Sequence, residues 1–174
     1  PDLKTRTVVL NGVSKAYAMT GWRIGYCGGP GHIITAMENI QSQSTSNPNS
    51  IAQVAAETAL NGDQSCIIPM ITAFKERNLF LTDSLNTING FRCLLSKGAF
   101  YAFVDVRIAI NRLHAQQLIA EASDAAFSAY LLEKAGVAVV PGSAFGSEGH
   151  VRLSFATSMK NLQAAVKRIE ALLN

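Results

Sequence analysis

Lys15 stands in the run Ser14-Lys15-Ala16-Tyr17-Ala18-Met19-Thr20-Gly21-Trp22-Arg23-Ile24-Gly25, just after the apolar stretch Val8-Val9-Leu10. A lysine amine on its long stem can condense with an aldehyde, and burial or nearby cations bring its pKa into a reactive range. Arg23 brings a planar, permanently charged fork suited to phosphate oxygens. Ser14 adds a hydroxyl donor, and the glycines let the backbone approach a ligand closely. An isolated Ser-Lys reads as a surface lysine in a turn; here the whole twelve-residue run points to chemistry. A second run, Val151-Arg152-Leu153-Ser154-Phe155-Ala156-Thr157-Ser158, sets an arginine inside an apolar strand. Such a charge is costly unless paired, and a bound carboxylate would pair it through a two-point contact. Pairing with a structural Asp or Glu, or snorkelling to solvent, are the alternatives.

Other chemistries find little support. His32, His114 and His150 are far apart and form no HxxxH pair, so no metal site is expected. Cys27, Cys66 and Cys93 are odd in number and lack CxxC spacing, which suggests reduced thiols in a cytoplasmic protein. Gly28-Gly29-Pro30-Gly31 has neither GxxxxGK nor GxGxxG spacing and reads as a turn. The formal charge is +3, with the 15 basic residues scattered, so nucleic acid is not an expected partner. No apolar stretch reaches the roughly 18 residues that a membrane span requires.

The elements that must position these residues follow from pattern. The chain has 174 residues, 48% of them hydrophobic, enough for a real core in one domain or two small ones. Residues 6–11 read as a strand, with Asn11-Gly12 as a turn; residues 22–27 read as a second strand. Helical stripes follow at 33–42 and 51–60, separated by a polar loop with Asn47-Pro48. One long helix is expected over 65–88, with Pro69 in or near its first turn. Beyond it come strands at 91–95 and 99–106, helix over about 115–135 ended by Gly136, strands at 137–140 and 151–155, and a closing helix at 159–173. The pattern changes along the long helix, placing a domain boundary there: domains of 1–80 and 81–174.

The Lys15 run, with the Arg152 run far downstream, resembles fold-type I aminotransferases of class I/II, the aspartate aminotransferase-like enzymes that use pyridoxal 5'-phosphate (PLP). The resemblance extends through Ser42-Gln43-Ser44-Thr45-Ser46-Asn47-Pro48, Gly98-Ala99-Phe100-Tyr101-Ala102-Phe103 and the segment from Gly136 to Gly146. It implies an α/β fold: the end of the large PLP-binding domain in 1–80 and the α+β small domain in 81–174. It implies that Lys15 carries the cofactor and is catalytic, and that Arg23 binds the phosphate, to which Ser14 could add its hydroxyl hydrogen bond. Ser46 would reach the cofactor phosphate of the neighbouring subunit in a homodimer, and Arg152 would hold the α-carboxylate of the substrate. Aspartate or a similar amino acid and a 2-oxo acid are then the expected substrates. The chain departs from the family pattern in three places. Gly12 stands where a serine is frequent, Ser96-Lys97 where proline is common, and residues 107–124 match poorly enough to read as a flexible insertion.

The resemblance also implies that the acidic partner of the cofactor's pyridine nitrogen precedes the lysine. Asp2 is the only carboxylate before Lys15, and no family position supports it. The expectation is therefore a C-terminal portion of an aminotransferase, inactive when isolated. A lyase or decarboxylase on the same scaffold would use the same three anchors. An aminotransferase-like ligand-sensing domain of a transcription regulator is the rival outside enzymes, marked by an upstream helix-turn-helix. A remnant that only packs is a third.

Overall fold

Burial alternates with period 2 along Tyr101–Asp105 and His150–Ser154. A computed structural model describes residues 3–173; Asp2 lies outside the described residues. The chain divides into two compact units, Pro1–Met70 and Ile71–Asn174.

In the first unit, β1 (Val9–Gly12) pairs antiparallel with β2 (Gly25–Gly28). Asn11 and Gly12, expected as a turn, instead extend the strand opposite Tyr26 and Gly25. Gly12 faces Gly25 there, and a Cβ on Gly25 would press on the Asn11 carbonyl oxygen at 3.2 Å. Close backbone approach, rather than a reversal of direction, explains the glycines. Two helices follow, α1 (Gly31–Ser44) and α2 (Ser50–Asn61). Asn49 caps α2, its side-chain oxygen accepting from the Ile51 and Ala52 amides at 2.9 and 3.2 Å. Val13, Ala52 and Ala56 are the buried apolar residues of this unit's described part.

The long helix α3 runs Ile67–Asn86 after a short 3₁₀ turn, Gln64–Cys66. Pro69 falls in its first turn, where a missing amide hydrogen costs nothing. The units part at 70/71, ten residues before the sequence-based boundary of 80/81. Phe74, Phe80, Leu81 and Leu85 of α3 pack with the second unit's core, which draws most of the helix into that unit.

The second unit holds a four-stranded antiparallel sheet, ordered β3 (Arg92–Cys93), β4 (Tyr101–Asp105), β6 (His150–Ser154), β5 (Val140–Pro141). Alternation along β4 and β6 sends Ala102, Val104, Val151 and Leu153 into the core. Helices α4 (Arg107–Ala115), α5 (Asp124–Tyr130) and α6 (Met159–Leu173) add Ala109, Ile110, Leu113, Phe127, Leu162, Val166 and Ile169 to the same core. Residues 107–124 are therefore no flexible insertion: α4 and Ile119 are part of the packed interior. A π-helical turn, Leu131–Ala135, continues α5 and stops at Gly136 in the left-handed region, φ 62°. Of the strand expected at 137–140, only Val140 joins the ladder, through its pairing with Arg152.

Candidate active site

Lys15 lies in the turn that follows β1. Tyr17 N–H donates to the Val13 carbonyl at 3.3 Å and Ala18 N–H to that of Lys15 at 3.2 Å. The Tyr17 hydroxyl donates to Gln64 Oε1 at 2.8 Å, and the Gln64 amide nitrogen donates to the Ala59 and Gly62 carbonyls at 3.0 and 2.7 Å. The turn is thus fastened to the end of α2, with Val13 fully buried beneath it. The Lys15 side chain is exposed and Ser14 is half-buried.

Ala18 and Arg23, on either side of the 3₁₀ turn Thr20–Trp22, both adopt left-handed backbone, φ 54° and φ 52°. That conformation costs a non-glycine residue roughly 1–2 kcal/mol. Strain of this kind gathers where a loop must aim side chains. Sequence reading missed it, because neither position is glycine. Arg23 Nη1 donates to the Thr20 carbonyl at 3.0 Å, which orients the guanidinium and leaves its other N–H groups for a ligand. An open pocket of about 410 Å³ adjoins it, lined by Gly21, Trp22, Arg23, Asn49 and Ala52. Ser14, Lys15 and Ser46 are not in that lining. Ser46 is exposed in the loop before α2, also left-handed at φ 68°, its amide bonded to the Gln41 carbonyl at 2.9 Å.

Arg152 belongs to the second unit. It sits on β6 opposite Phe103 on one side and Val140 on the other. Its apolar neighbours, Val151 and Leu153, face the core, so period-2 alternation turns Arg152 to the opposite, open face of the sheet, where it is half-buried. The burial cost read from its sequence neighbours is therefore largely relieved. Its guanidinium carbon lies 4.3 Å over the Tyr101 ring and 4.2 Å over the Phe145 ring. Among the described residues the ion pairs are Arg107–Asp105 and Lys134–Glu133, and no carboxylate pairs with Arg152. Tyr101 and Phe145 lie in segments that carry the family resemblance, and sequence analysis gave neither a role beside Arg152. The same alternation that frees Arg152 puts Tyr101 and Phe103 on its face, which was the available signal. At the edge of that face the Arg107 side chain hydrogen-bonds Asp105 and holds its carboxyl down to about 2, with His150 adding a smaller charge effect.

The donors of the first unit fit PLP in their chemistry: an amine on a fixed turn for an aldehyde, and a guanidinium beside a pocket for a phosphate. The sequence model of the aminotransferase class I and II family matches residues 1–169. The chain belongs to the class I and II aminotransferase family. It is 78% identical over 174 residues to the aspartate/prephenate aminotransferase of Nitrosomonas europaea, covering all of this chain and 44% of that protein. Among solved structures, the aspartate aminotransferase of Rhizobium meliloti matches with a TM-score of 0.87 at 45% identity, covering 97% of this chain and 42% of that one. The aromatic aminotransferase of Pyrococcus horikoshii matches with a TM-score of 0.88 at 36% identity, covering 99% and 44%. The chain thus spans less than half the length of the relatives it matches, and its mixed α/β fold is that of the matching part of these aminotransferases. No helix among the described residues is long and apolar enough to cross a membrane.

Proposed function

We propose that the chain is the C-terminal part of a PLP-dependent aminotransferase that moves an amino group between aspartate, or a similar amino acid, and a 2-oxo acid. Residues 1–80 would complete the large cofactor-binding domain and 81–174 would form the small domain of a cytoplasmic homodimer. PLP, when bound, supplies an aldehyde to receive the amino group and a ring that holds the electron pair released at the substrate α-carbon. Lys15 would hold the cofactor through its aldehyde, and its amine would move a proton at the substrate α-carbon. Arg23 and Ser14 bind the phosphate through charge-assisted and hydroxyl hydrogen bonds. Ser46 reaches the phosphate bound by the neighbouring subunit. Arg152 receives the substrate α-carboxylate on its two-pronged edge.

The observation that carries this reading is Arg152: an arginine on an open sheet face, flanked by two rings and with no carboxylate partner among the described residues. The name of the Nitrosomonas relative supports aspartate as donor and adds prephenate as a second 2-oxo acid to assay. Two results are expected of the isolated chain. Incubation with PLP, borohydride reduction and peptide mapping should label Lys15 ahead of Lys4, Lys75, Lys97, Lys134, Lys160 and Lys167. Aspartate plus 2-oxoglutarate should show no turnover at an enzymic rate. Even labelling of all seven lysines would remove Lys15 from its role, and ordinary turnover would show the isolated chain to be sufficient for activity.

A further inference from the structure

Two rings from different elements hold the Arg152 guanidinium. Tyr101 comes from β4 and Phe145 from the 3₁₀ turn Gly142–Phe145 between β5 and β6. That turn is a built feature. Asp124 is only 3% exposed, and its Oδ2 accepts the Ser143 N–H at 2.7 Å. Gly142 is buried where a Cβ would run into the Ser147 carbonyl and His150. Gly146 closes the turn at φ 75°, its amide bonded to the Ser143 carbonyl at 3.0 Å. Phe145 is braced edge-on by Phe103, with ring centres 6.5 Å apart at 78°, and Phe103 stacks on His150 at 5.2 Å and 14°.

A guanidinium over ring faces is attracted by the ring quadrupole and keeps its N–H edge for coplanar hydrogen bonds. An arginine already confined in this way loses less rotamer freedom when a carboxylate binds. We propose that Tyr101 and Phe145 are positioning residues that clamp the Arg152 guanidinium with its N–H edge presented to a substrate carboxylate, and that buried Asp124 sets the Phe145 jaw by holding the Ser143 amide. The clamp rests on the reading of Arg152 as the carboxylate anchor.

The test is NMR of the Arg152 Nε–H group in the 174-residue chain, titrated with succinate as an unreactive carboxylate probe. In the unsubstituted chain this resonance should be displaced by ring currents and should respond saturably to succinate. Phe145 is 49% exposed, so Phe145→Leu leaves the core intact. Phe145→Leu and Tyr101→Leu should each return the resonance toward its free-arginine position and weaken succinate binding about three- to tenfold. Tyr101→Phe, which keeps the ring, should change neither. Asp124→Asn keeps an acceptor for Ser143 and should preserve the displaced resonance, whereas Asp124→Ala should lose it. The Tyr101 and Phe145 variants decide the clamp even if Asp124→Ala fails to fold. Unchanged shift and affinity in both leucine variants would overturn the clamp while leaving Arg152 as the anchor. A displaced resonance that ignores succinate in the unsubstituted chain would remove the anchor reading and the clamp with it.

Discussion

Arg23 is the residue on which phosphate affinity should depend most simply, because its charge is permanent and its Nη1 is already oriented by the Thr20 carbonyl. On the proposed function, Arg23→Gln is expected to weaken PLP binding about ten- to a hundredfold, the usual range for a lost charge-assisted hydrogen bond, measured by absorbance titration. Asp105 supplies a pH signature on the Arg152 face. The Arg107 hydrogen bond lowers its folded-state pKa from 3.8 to about 2. A depressed carboxyl contributes stability above its unfolded pKa and loses it as pH falls through the folded value. The loss should therefore fall between about pH 4 and pH 2, and Asp105→Asn should flatten the acid limb of a denaturation series in that window. At this scale the types of the proposed anchors were legible and their settings only partly so. Lys15, Arg23 and Arg152 declare their chemistry by type. The left-handed backbone at Ala18 and Arg23 does not, since nothing in an alanine or arginine announces positive φ.

Elements built on a strong period were the most readable. The closing helix expected at 159–173 is α6, Met159–Leu173, whose apolar stripe buries Leu162, Val166, Ile169 and Leu173. Ile169→Ala on that stripe should destabilise the second unit by about 2–5 kcal/mol in chemical denaturation, because the residue is fully buried and its truncation removes packing contacts. Short strands were less readable. Arg92–Cys93 and Val140–Pro141 are defined by the neighbours they pair with, and pairing is not written in their own residues. Residues 107–124 misled because departure from a family pattern says nothing about burial; Ala109, Ile110 and Leu113 share one face of α4 and are buried there. Cysteine reactivity gives an independent check on these elements. Cys93 on β3 is buried, and burial raises its thiol pKa, while Cys66 at the end of the 3₁₀ turn before α3 is exposed. Iodoacetamide should alkylate Cys66 quickly in the folded protein and leave Cys93 until unfolding.

The two units differ in how much core each holds. Among the described residues, the second unit has a cluster of 22 buried apolar residues, whereas the first buries Val13, Ala52 and Ala56. The first unit also carries Leu10 at 76%, Ile40 at 72% and Ile51 at 69% exposure. Hydrogen exchange of the isolated chain should therefore be slowest in β4, β6 and α6 and markedly faster across the first unit. Equal protection in both would contradict this division. A chain covering 44% of its Nitrosomonas relative has Lys15, the proposed cofactor anchor, on the thinly cored unit. Sequence could expose the lysine but not this imbalance, which depends on what each apolar side chain packs against. The most direct measurement is the transamination rate of a chimera in which this chain replaces the matching part of the Nitrosomonas enzyme, assayed with aspartate and 2-oxoglutarate. The chimera should turn over at a rate near that of its parent, and Lys15→Ala should lower kcat by about 10²- to 10⁴-fold or more. An inactive, folded chimera, or a Lys15→Ala variant that keeps its rate, would contradict the assignment of this chain to aminotransferase catalysis.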